Sequence, residues 1–139
     1  MPKLLKVVLA LSAMLVLLAQ PLYAAEKSVN QGHDRADKLV ENNHVGNEWY
    51  TEASVNGKAV SEGSAVTLTP KPSDTIQLKA YAEEQDKIPD KATATAIVKA
   101  SAVTKTTTKA LTVTVVENRG RYSGNTATWS FTYELQKAS

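Results

Sequence analysis

From Glu48 to Gln136 the chain alternates apolar and polar positions with a period of two, the signature of half-buried β-strands. The last segment is clearest. Ala127, Trp129, Phe131, Tyr133 and Leu135 share one face, and Thr126, Thr128, Ser130, Thr132 and Glu134 share the other. Upstream, Leu111, Val113 and Val115 alternate with Thr112 and Thr114. The turn-rich stretch between them, residues 118–125, makes the two segments a hairpin. Equal apolar phase then sets Val115 opposite Trp129, Val113 opposite Phe131 and Leu111 opposite Tyr133, to within a two-residue slip.

Three more segments and a tight hairpin complete the pattern. Residues 75–83 place Ile76, Leu78, Ala80 and Ala82 inward. Residues 92–103 place Ala92, Ala94, Ala96, Val98, Ala100 and Ala102 on one face. Residues 49–55 meet residues 58–61 across Asn56-Gly57, a strong two-residue hairpin signal. Residues 65–69 form a short strand that ends before Pro70 and Pro72. About seven strands with one wet face each predict an all-β antiparallel sandwich, immunoglobulin-like in strand count, across residues 48–139.

The pattern changes in the N-terminal third. Lys3 and Lys6 precede an apolar run over residues 7–19, and small residues stand at Ala24 and Ala25. Basic start, apolar core and small-residue cleavage site are the order of an export signal. The run is too short for a comfortable membrane span. Cleavage after Ala24 leaves about 115 residues, one ordinary domain, with no stable membrane span. The expected location is the periplasm or the medium. Residues 25–47 are polar and read as a linker, or as a short helix over residues 34–41.

Composition narrows the function. The chain has no cysteine, which excludes disulfides, thiolate metal sites and cysteine nucleophiles, and tilts an exported domain towards a bacterial source. The formal charge of +2 comes from Lys3 and Lys6, so the mature chain is balanced. A balanced surface lacks the positive field that nucleic-acid binding needs. Both histidines, His33 and His44, fall in the polar stretch, and no nucleophile-elbow sequence is present, so no catalytic residue is assigned and the chain is not expected to be an enzyme.

Three clusters carry candidate chemistry. Arg119, Arg121 and Tyr122 lie in the predicted hairpin loop, where arginine forks suit carboxylates and a tyrosine offers a flat face to a sugar or peptide. Glu83, Glu84, Asp86 and Asp90 gather between two strands, and calcium is the one cofactor such oxygens would hold. His33, Asp37, Glu41 and His44 would line one side of a helix, with ligand types that suit zinc. The resulting expectation is an exported binding or structural module that recognises a surface, a polysaccharide or a protein partner through loops or a sheet edge. The alternative is a membrane-active toxin or antimicrobial protein, because residues 92–116 hold two alternating segments long enough for barrel strands.

Overall fold

Two β-sheets pack face to face in the computed structural model, which describes residues 5–9, 37–63 and 65–137. The strands are β1 (Leu5–Leu9), β2 (Asp37–Asn42), β3 (Trp49–Val55), β4 (Lys58–Val60), β5 (Ala65–Leu68), β6 (Thr75–Glu84), β7 (Asp90–Lys99), β8 (Thr107–Val116) and β9 (Thr126–Lys137). One sheet is antiparallel in the order β4-β3-β6-β7. The other is built on β9. β8 runs antiparallel along one edge of it. The opposite edge is shared: β2 pairs antiparallel with Ala127 to Phe131, and β1 pairs parallel with Tyr133 to Lys137. β5 then runs parallel to β1.

The alternation read from the sequence decides what each sheet buries. Ile76, Leu78, Ala80 and Ala82 of β6 are fully buried, with Ala53 and Val55 of β3 beside them. From the other sheet come Leu111, Val113 and Val115, and Ala127, Phe131, Tyr133 and Leu135. The two buried rings of the core, Phe131 and Tyr133, are both on β9. The Tyr133 hydroxyl crosses the core and donates to the Lys79 carbonyl oxygen of β6 at 2.6 Å. The Asn56-Gly57 turn has positive φ at both residues, 48° and 79°, the mirror-image turn whose twist matches the strands it joins.

Several expectations need correction. The stretch read as a linker or helix contains a strand. β2 pairs with β9, so the sandwich takes in residues 37–42 and is not confined to residues 48–139. Its register shifts between Leu39 and Glu41, and Val40 at the irregularity is 59 % exposed. A polar strand with one short apolar pair carries almost no period-two signal, and the free edge of β9 supplies what the sequence lacks. The β8–β9 register, by contrast, falls within the two-residue slip the sequence allows: Val115 lies opposite Ala127, Val113 opposite Trp129 and Leu111 opposite Phe131. The slip keeps the phase, and both apolar faces still point inward. Beyond Lys99 a 3-10 turn over Ala100–Ala102 breaks the alternation, so Val103 is buried and Ala102 is exposed. β7 and β8 belong to different sheets, so residues 92–116 do not form a hairpin.

Candidate binding site at one end of the sandwich

Three connections meet at the end of the sandwich where β2, β6 and β8 finish: residues 43–48, 85–89 and 117–125. Asn42 shapes the first. Its amide nitrogen donates to the Gly46 carbonyl oxygen at 2.6 Å, and its amide oxygen accepts from the Val45 N–H at 3.0 Å. Such local bonds are why asparagine favours turns over regular structure. The Trp49 indole N–H also donates to the Gly46 carbonyl oxygen, at 3.1 Å. The Asn43 N–H donates to the Thr126 carbonyl oxygen at 3.0 Å and ties the loop to β9.

This bracing holds His44 at φ 60°, the left-handed region that a residue with a side chain seldom enters. The cost is of the order of 1–2 kcal/mol, and strain of this kind gathers at functional sites. In that conformation the His44 ring stacks on Tyr122, with centroids 4.6 Å apart and planes 13° from parallel. The Arg121 guanidinium carbon lies 5.8 Å from the Tyr122 ring centroid, within cation–π range.

The 117–125 loop is closed by its own backbone. The Glu117 N–H donates to the Asn125 carbonyl oxygen at 2.9 Å, and the Gly124 N–H donates to the Glu117 carbonyl oxygen at 2.7 Å. The Arg119 N–H donates to Glu117 Oε1 at 3.1 Å. A 3-10 turn over Gly120–Tyr122 carries Arg121 and Tyr122 on the outside. Asn42, His44, Gly46, Asn47 and Tyr122 line an open depression between the two loops. Arg119 and Arg121 are exposed on the 117–125 loop.

The acidic residues behave differently. Glu83 and Glu84 are neighbours on β6 and point to opposite faces. Glu83 accepts a hydrogen bond from the Tyr81 hydroxyl on the outer face. Glu84 turns inward, is 2 % exposed, and packs its carboxylate against the Cα of Gly46. Burial pushes the Glu84 carboxyl above the usual range, and the charge of Asp86 adds to that push. Asp90, the register partner of Glu84, is buried and accepts from the Asn118 side-chain amide at 2.8 Å. The four predicted calcium ligands are therefore divided between two faces. Among the described residues no group of three or more histidines and carboxylates converges to hold a metal ion. The helical spacing proposed for zinc is also lost, because Asp37 and Glu41 stand on a strand and His33 lies outside the described residues.

The pairing of His44 with Tyr122 was not readable in the sequence. No local periodicity links residues that far apart. The usable hint was the run from Asn42 to Gly46, a loop former followed by a glycine. Among the described residues no helix is long and apolar enough to cross a membrane. The chain matches no protein-family model, no curated protein and no solved structure.

Proposed function

We propose that this chain is a small exported binding module, an immunoglobulin-like β-sandwich that recognises carboxylate-bearing partners at the cell surface, polysaccharide or protein, through its loop end. The observation that carries the reading is the His44–Tyr122 stack. A residue held in a strained conformation joins two loops and sets aromatic groups beside Arg121 and Asn47. A fold gains nothing obvious from a strained histidine on an exposed loop, whereas a binding surface gains pre-organisation. Arginine forks fit carboxylates in pairs of hydrogen bonds, and aromatic rings with amide groups fit a sugar or a peptide edge. Export is supported by the basic start, apolar run and small residues of the first 25 positions.

The test is retention of the exported protein on immobilised polygalacturonate, poly-glutamate and dextran. Retention on a carboxylated polymer and not on dextran is expected. Loss of that retention in Arg121→Ala and in Tyr122→Ala, with unchanged melting, supports the loop end as the site. Equal behaviour on all three matrices overturns the reading.

A further inference from the structure

β1 is the only ladder partner that β5 has among the described residues, and it also covers the stretch of β9 beyond the end of β2. It fills a gap one strand wide, about 10 Å from β5 to β9 at the usual inter-strand spacing. Yet Leu5–Leu9 belong to the segment that export would remove. Its loss uncovers two parallel backbone edges at once: Ala65–Leu68 on β5 and Tyr133 to Lys137 on β9. Unpaired edges facing one another are templates for another strand, and their buried groups need partners. Gln136 in this stretch already has a buried side-chain oxygen without a partner.

Register defines what fits. Leu5 and Val7 stand opposite Tyr133 and Leu135, both fully buried, and Lys6 stands opposite Glu134. The remaining N-terminal sequence does not repeat this pattern, because Val29 is the only large aliphatic residue in positions 25–36.

We infer that the slot between β5 and β9 is a strand-acceptor site of the exported protein. It takes an extended segment of a partner protein that runs parallel to β9, with aliphatic residues opposite Tyr133 and Leu135 and a basic residue opposite Glu134. Main-chain hydrogen bonds to both edges give affinity, and alternate side chains give selectivity. The inference rests on the export reading, since a retained leader keeps the slot closed.

The experiment uses a synthetic peptide of residues 3–10 as the probe. The exported protein is weighed intact, then titrated with the peptide and followed by calorimetry and amide hydrogen exchange. The expected result is a mass lacking residues 1–24, saturable binding of one peptide per protein, and new protection confined to residues 65–68 and 133–137. A peptide carrying Val7→Pro, which loses a ladder donor, should bind about tenfold more weakly or worse. The full chain made without export should not bind. An exported protein of full mass defeats the export reading and the acceptor site together. A cleaved protein that ignores the peptide, or whose two edges are protected without it, defeats the acceptor site alone.

Discussion

Tyr133 on β9 donates its phenolic hydrogen to the carbonyl oxygen of Lys79 on β6, 2.6 Å away, and so joins the two sheets through the core. A buried ring brings area, and its hydroxyl fixes how the sheets are set against each other. Tyr133→Phe keeps the ring and loses the bond. It should cost about 1 kcal/mol, the net worth of such a bond, against about 3–5 kcal/mol for Phe131→Ala, which opens a cavity. Urea melts of the two variants check the ranking.

The same tyrosine gives an alkaline prediction. Burial raises the Tyr133 hydroxyl well above its ordinary value. A hydrogen bond to Glu83 pushes Tyr81 up to about 12, and one to Glu52 raises Tyr50. A raised folded pKa favours the neutral form in the native state. The stabilisation is complete below the unfolded value of about 10 and is lost as pH rises through the folded value. Stability should therefore fall steeply above about pH 10, and less steeply in Tyr133→Phe. Tyrosinate absorbance should lag behind free tyrosine.

Glu84 predicts the opposite behaviour at the acid side. Its raised carboxyl has burial as first cause and Asp86 as second. The proton is held more tightly in the folded chain, so the contribution is complete below the unfolded value of about 4.3 and fades as pH rises through the folded one. Melting temperature should rise as pH is lowered from neutrality, until other carboxylates protonate. Glu84→Gln should flatten that rise and melt higher than the parent at pH 7. A parent profile that only falls on acidification, matched by the variant, contradicts the assignment.

Gly46 is required where it stands. It holds φ at +138°, and a methyl group there would land on the Glu84 carboxylate. Gly46→Ala should cost about 1–3 kcal/mol from backbone strain, with further loss from displaced Glu84. A thermal melt within error of the parent would show that this loop packs otherwise.

The strands with strict alternation are legible in the sequence, because each has one face to bury and a fixed period. β3, β6 and β9 fall within a few residues of the sequence reading. β2 was not legible, since its only strong reason to be a strand is the edge of β9, which lies far off in sequence. β1 was hidden for another reason: an apolar export leader and an apolar strand have the same composition. Arg121 and Tyr122 could be singled out as loop residues, but their partner His44 could not, because a stack between two loops leaves no trace in either one. The division of the acidic cluster was not legible either, because adjacent residues on a strand point to opposite faces, which separates Glu83 from Glu84.

The loop end carrying His44, Arg121 and Tyr122 is the proposed recognition surface. Amide NMR of the isotope-labelled exported protein, titrated with short polygalacturonate or poly-glutamate fragments, tests it most directly. Saturable shifts concentrated in residues 42–47 and 119–122, abolished by Arg121→Ala, are expected. Shifts concentrated on the outer face of β3 and β6, around Tyr50 and Tyr81, or no shifts with either fragment, would contradict it.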